Sequence, residues 1–364
     1  MMDQDYRSQV WDDSVIQWLA VEIVSGQVIG ELPDLQASTL SVRMEDITST
    51  EAQLPYDKAP DNWLELTTPY KIALILVRDH IPQWGGIIIK RERELANNGI
   101  TLTLSTIEHY LDSVYVKTVS YRHTQQTKIA GNLVNLTEAH RFYVQPDVGE
   151  SIYLRDRDYD ETQNKTVLSA LQELSNVING PEWYGTWRET DAGHYQPSIV
   201  IRDTIGQYRQ QAVFEESAMA KLTVLEDYST GYGANMVQAT SSADGGENPL
   251  SNWQVYNDFA RPVIEYKYQA GTSITRLDTL NQHALNELNS IKNGTTTISF
   301  TTSLENSPQP GIDWNLGDIV KYQLSSVSQY LPDFDSGKVR IIGYDLDYSQ
   351  AWQLTPLLRP VEEE

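Results

Sequence analysis

In "RDRDYDETQNKTV" (155–167), Asp156, Asp158 and Asp160 recur at the spacing with which a calcium loop offers its first three carboxylates. The chemistry would be oxygen coordination of a hard divalent cation. The remainder of such a loop does not follow. Glu161 stands where the sharp turn needs glycine, and Val167 stands where a bidentate carboxylate must close the shell. The stretch reads instead as a solvated acidic loop whose charges favour the N-terminal end of a following helix. A second candidate is Asp318 in "DWNLGDIVKY" (313–322). It is either a catalytic carboxylate or the corner of a Gly317-Asp318 turn before a strand that begins at Ile319. The six histidines, His80, His109, His123, His140, His194 and His283, show neither HxH nor HExxH spacing. GxSxG and GxxxxGK[ST] are absent, and "GYGANM" (231–236) has only the first two glycines of a dinucleotide fingerprint. Among 50 acidic residues some carboxylate pair for glycoside hydrolysis is always available, and nine Trp and 21 Tyr could line a sugar groove. No spacing singles out a pair, and aromatics in β-rich chains are more often core and interface. The expectation is no catalytic, cofactor-binding or metal-ligating residue, and no enzyme.

Composition narrows the class further. A chain of 364 residues, 40% hydrophobic and 21% charged, suggests two or three domains with a sizeable core. Without cysteine, disulfides, thiol catalysis and Cys-ligated zinc are excluded. The longest apolar run, Ile72 to Val77, is far short of the ~20 residues of a membrane-spanning helix, so no membrane insertion is expected. Asp3, Asp5, Asp12 and Asp13 stand where a signal peptide would be basic and apolar, and sequons at Asn135, Asn164 and Asn293 then read as accidental. Fifty acidic against 27 basic residues give a formal charge of −23, which repels phosphate and argues against sequence-specific nucleic-acid binding.

The elements that would position any site are mostly strands. In "STLSVRME", Leu40, Val42 and Met44 alternate with polar residues; in "GITLTLST", Ile100, Leu102 and Leu104 alternate with Thr101, Thr103 and Ser105. Ser105 and Glu108 have the spacing of a capping box that opens a short helix. "TVLSALQELSNVINGPEW" (166–183) predicts a helix over 166–179, capped by Thr166 and stopped by Gly180-Pro181, with Leu168, Leu171, Leu174 and Ile178 packed onto its own domain's sheet. A second helix is expected over 272–293, with Ile274, Leu277, Leu280, Ala284, Leu288 and Ile291 on one side. Asp244-Gly245-Gly246 and "ENPLSNWQ" read as loop. Trp84-Gly85-Gly86 before Ile87-Ile88-Ile89 has the layout of Trp314 to Gly317 before Ile319-Val320. The simplest architecture is mainly β with α+β insertions. It has a first β-barrel over 1–125, a peripheral α+β domain over 126–212, and a second β-barrel over 213–364 that carries the inserted helix.

The order of three segments resembles the baseplate or tail-tip hub proteins of long-tailed bacteriophages, also known as minor tail proteins or the N-terminal part of tail-associated proteins. They are "PQWGGIIIKRERELANNGITLTLSTIEHYLDSVYV" (82–116), "LSALQELSNVINGPEWYGTW" (168–187), and the helix at 272–291 followed by "GIDWNLGDIVKY" and "GKVRIIGYDLDY". The resemblance implies two tube-like antiparallel β-barrels per chain and a homotrimer that presents six of them as a ring. It implies partners in the tail tube or distal tail protein, a central tip or fibre protein and the tape measure protein. DNA would pass through as non-specific cargo, and the protein, made in the host cytoplasm, would reside at the tail tip of the virion. The acidic excess suits such a conduit. Since the sequence ends at "RPVEEE", lytic or receptor-binding activity is expected on another protein. Competing readings are a carbohydrate-binding or cell-wall-hydrolysing β-protein, and a distal tail or receptor-binding protein of the same particle.

Overall fold

Alternating and continuous apolar runs dictate the first sheet. The computed structural model describes residues 16–361, apart from 38, 79–80, 95–98, 178, 230, 242–248, 272–275, 325–335 and 348–351. His80, Ile178, Ile274, Asp244 to Gly246, the N-terminal aspartates and the final acidic residues lie outside the described residues. The first strands are β1 (Ile16–Glu22), β2 (Val28–Glu31), β3 (Gln36–Ala37), β4 (Thr39–Arg43), β5 (Ser49–Pro55), β6 (Ile72–Arg78), β7 (Ile81–Glu94) and β8 (Gly99–Ser105). All but β4 form a seven-stranded antiparallel sheet in the order β2-β1-β6-β7-β8-β5-β3. The run Ile72 to Val77 is central β6, whose seven residues are all buried, because both faces of that strand are covered. In β8, Ile100, Leu102 and Leu104 are buried while Thr101 and Thr103 are only partly so, as the alternation requires.

The next strands are β9 (Val119–Gln125), β10 (Gln145–Val148), β11 (Leu154–Tyr159), β12 (Glu182–Asp191) and β13 (His194–Arg202). They form an antiparallel β9–β11 ribbon and a three-stranded sheet, β10-β13-β12. Two helices accompany them, Gln126–Val134 and Val167–Ser175. The second starts where expected, with Thr166 Oγ1 accepting from Ser169 N at 3.2 Å, but ends at Ser175. Ser175 Oγ donates to Pro181 O (2.6 Å) and accepts from Trp183 Nε1 (3.0 Å), which turns the chain one helical turn before Gly180-Pro181. Leu168, Leu171 and Leu174 are buried as expected. Their core is wider than a single sheet: it joins Ile199 and Trp183 with Leu19, Ile75 and Ile87 of the first sheet.

The chain goes on through β14 (Tyr208–Glu215), β15 (Met219–Asp227), β16 (Met236–Ser241), β17 (Gln254–Val255), β18 (Glu265–Gly271), β19 (Thr295–Ser303), β20 (Ile319–Gln323), β21 (Ser336–Asp347) and β22 (Gln353–Pro360). A second seven-stranded sheet has the order β14-β20-β21-β22-β19-β15, with β4 paired to β21. One half of β21 pairs with β20 and the other with β4, on either side of a register break near Ile341. β4 therefore belongs to the C-terminal sheet although it lies among the N-terminal strands, and β14 runs parallel to β20 rather than antiparallel. The stretches Trp84–Gly86 and Trp314–Gly317 are not equivalent, since the first lies inside β7 and the second in a turn before β20. Glycine has a packing reason in β7: a Cβ on Gly85 would lie 2.4 Å from the Trp187 ring.

Contacts divide the chain into two units, Met1–Lys221 with Phe300–Glu364, and Leu222–Ser299. In the smaller, β16 lies between antiparallel β17 and parallel β18. The helix Leu277–Ile291 packs Leu280, Ala284, Leu288 and Ile291 with Val237 and Ala239. Leu277, at the first turn, is 49% exposed and is not part of that stripe.

Candidate functional site

Two glycines bring the two chain segments of the Asp318 corner into contact. Gly317 (φ +82°) and Gly206 (φ +92°) pass so closely that a Cβ on Gly206 would lie 2.1 Å from the Gly317 carbonyl. Asp318 then bonds to both segments. Its Oδ1 accepts from Gln207 N (2.7 Å), and its Oδ2 accepts from Arg209 Nε (2.7 Å) and Asn315 N (2.9 Å). Ile319 N donates to Gln207 O at 3.0 Å and opens the parallel β14–β20 pairing, in which Tyr208 faces Ile319. The Asp318 side chain is 2% exposed, and each of its oxygens already accepts from the corner it joins. Asp318 is the corner. Neighbouring Trp314 is core: it is fully buried, donates to Pro308 O (2.9 Å) and meets Tyr344 edge-on.

Arg340 of β21 fastens the same corner from the other side. It donates to Gly317 O (2.9 Å), to Ile205 O (2.7 Å) and, through both Nη atoms, to the Glu182 carboxylate. Glu182 Oε2 also accepts from Ile205 N at 2.6 Å. This fork ties the start of β12 to the second sheet. Beside it lies Glu45, whose backbone N–H donates to Trp183 O. Burial, and then the Glu182 charge, push the Glu45 carboxyl up to about 7, against the opposing pull of Arg359 and Arg340. Glu45 thus feels the Glu182 charge, while Arg340 and Ile205 N bind both Glu182 oxygens and hold that carboxylate in the corner.

The expected capping box does not form. Ser105 Oγ donates to Thr48 O (3.2 Å), while Glu108 Oε1 accepts from Gly185 N (2.7 Å). The helix Glu108–Leu111 still begins there, but its acid links to β12 instead of capping. Glu108 is buried, which raises its carboxyl above the usual range.

The other candidates are dispersed. Asp156 accepts from His123 N, Asp158 pairs with Ser120 Oγ and Arg122, and Asp160 accepts from Thr162 N. These bonds hold Asp158 and Asp160 below the usual carboxylate range. Tyr70 Oη lies 2.7 Å from His109 Nε2, and His140 Nδ1 lies 2.9 Å from Leu136 O. "GYGANM" is a turn with Gly231 and Gly233 at positive φ, before β16. Among the described residues no three His, Asp or Glu side chains cluster as metal ligands. The network around Glu45, Glu182, Gly206 and Arg340 escaped sequence reasoning, since its members are far apart in the chain and share no spacing.

No protein-family profile matches the sequence, and no curated protein matches it by sequence. Solved structures do match, and they define the class: a mainly β phage tail-protein fold that spans almost the whole chain. The 43 kDa tail protein of prophage MuSo2 from Shewanella oneidensis aligns with a TM-score of 0.60 at 10% identity, covering 94% of this chain and 98% of its own. A tail protein from Neisseria meningitidis MC58 gives 0.59 at 12% identity over 94% and 96%. Prophage tail protein gp18 from Listeria monocytogenes EGD-e gives 0.51 at 11% identity over 95% of each chain. At these identities the likeness is one of fold.

Proposed function

We propose that this protein is a structural hub of a phage tail tip. The observation that carries the reading is the end-to-end fold likeness to prophage tail proteins, 94% of this chain on 98% of the Shewanella protein. Three copies form a ring in which each supplies two tube-like β parts, so that six similar parts meet the end of the tail tube. The two seven-stranded sheets within one chain support a doubled tube-like plan. The division at 125 and 212 belongs to the same reading. The ring joins the tube or distal tail protein to a central tip or fibre protein, with the tape measure protein as a further neighbour, and DNA passes through it. A formal charge of −23 supports a wall past which phosphate moves without sticking. The bonds that Asp318 and Glu182 make within the corner support a structural role for these two carboxylates.

The test is incubation of the purified chain with tail tubes and, separately, with cell-wall polysaccharide. Capture at the tube end without polysaccharide binding or cleavage is the expected result. Saturable polysaccharide binding with release of reducing ends, and no capture by tubes, would replace this reading with a carbohydrate-active one.

A further inference from the structure

Glu108 and Trp187 line a cavity of about 140 Å³, walled by β7, β12, the loop before β20 and Tyr344 of β21. Each carries an unsatisfied polar atom. Glu108 is 3% exposed, and its Oε1 is taken by Gly185 N; Thr106 and the residue's own N–H lie near enough to pull the carboxyl down, but neither reaches hydrogen-bond geometry at Oε2. Trp187 is 5% exposed, and its Nε1–H also lacks a partner. Buried orphans of this kind cost about as much as a lost hydrogen bond, so two on one cavity require an explanation. The backbone makes room for both. A Cβ on Gly85 would lie 2.6 Å from Trp187 Nε1, and one on Gly185 would lie 2.2 Å from Glu108 Oε1. Gln83, Thr186 and Asn315 add further polar groups to the wall.

We propose that this cavity is a built hydration site, in which a water oxygen accepts from Trp187 Nε1–H and hydrogen-bonds Glu108 Oε2, bridging β12 to the Glu108 helix. Water fits on size and chemistry. A water needs only about 10–15 Å³ of such volume, so the cavity of about 140 Å³ holds this water and several more, and water can accept from the indole while serving either protonation state of the acid. Burial favours the neutral acid, which then donates from Oε2 to the same oxygen. A cation would suit only the charged acid and would be repelled by the indole N–H edge.

The test is a crystal structure of the whole chain at a resolution that shows ordered water, for wild type, Glu108→Gln and Trp187→Phe. In wild type one oxygen is expected within about 3.2 Å of both Trp187 Nε1 and Glu108 Oε2. Glu108→Gln keeps a polar partner and should keep that oxygen, whereas Trp187→Phe should lose or displace it. A dry cavity, an oxygen that touches only one of the two groups, or a larger non-aqueous molecule in wild type would overturn the proposal. Should Trp187→Phe fail to fold, the wild-type and Glu108→Gln densities decide it alone.

Discussion

Replacing Asp318 with alanine tests whether this carboxylate is a fastener. The change removes acceptors from Gln207 N, Asn315 N and Arg209 Nε, all within 2.9 Å. Hydrogen bonds to a charged group are worth about 1.5–3 kcal/mol each, and they are not additive here because they share one carboxylate. Removing one member of a buried pair costs about 3–5 kcal/mol. The Arg209 side chain is 35% exposed and can turn to water, so its share is discounted. The two backbone N–H groups belong to exposed residues, Gln207 and Asn315, but the backbone at the corner cannot swing out to water as a side chain does. The expected loss is therefore about 3–4 kcal/mol, a large part of the ~5–15 kcal/mol that holds most domains folded. Asp318→Asn retains one acceptor and should lose roughly half as much, and Arg209→Ala about 1 kcal/mol. Urea titration reads this as a lowered midpoint at unchanged slope. A loss below about 1 kcal/mol for Asp318→Ala would refute the reasoning and reopen the question of what the residue does.

Leu171→Ala should lose about 2–5 kcal/mol, because Leu171 is 1% exposed in the shared core; urea midpoints measure it, and a negligible loss would contradict that packing. Glu45 titrates in the folded chain at about 7 against an ordinary 4.5, so its contribution to stability is fully present below the lower value and is lost as pH rises through the upper one. The urea midpoint of wild type should thus fall from about pH 5 to about pH 8 relative to Glu45→Gln, and parallel pH profiles would count against a raised Glu45 carboxyl. Adding a chelator should leave the melting temperature unchanged; a shift of many degrees would return attention to Asp156, Asp158 and Asp160. With a formal charge of −23 per copy, association should strengthen as salt rises, which sedimentation at about 0.05 and 0.5 M NaCl can follow.

Local patterns were legible because they depend on near neighbours in the chain. The period-two run of β8, the unbroken apolar β6 and the Thr166 cap could all be read from a few residues. Gly317-Asp318 offered a corner as one of its two readings. Its partners, Gly206, Gln207 and Arg209, were hidden more than a hundred residues upstream. The placement of β4 beside β21 was illegible for the same reason, since strand pairing across three hundred residues leaves no spacing to find. The capping box at Ser105 and Glu108 misled, because a buried backbone N–H at Gly185 competes for the same carboxylate. The helix Gln126–Val134 was missed although Ile129, Ala130, Leu133 and Val134 carry a helical stripe, diluted by Thr127 and Gly131.

The central claim is a threefold ring at the end of a tail. A cryo-electron reconstruction of the assembled particle measures it most directly, by counting copies of this chain around the tail axis. Three copies are predicted, each presenting two tube-like β parts to a polar, negatively charged channel. One or six copies around that axis, or a basic inner wall, would contradict it.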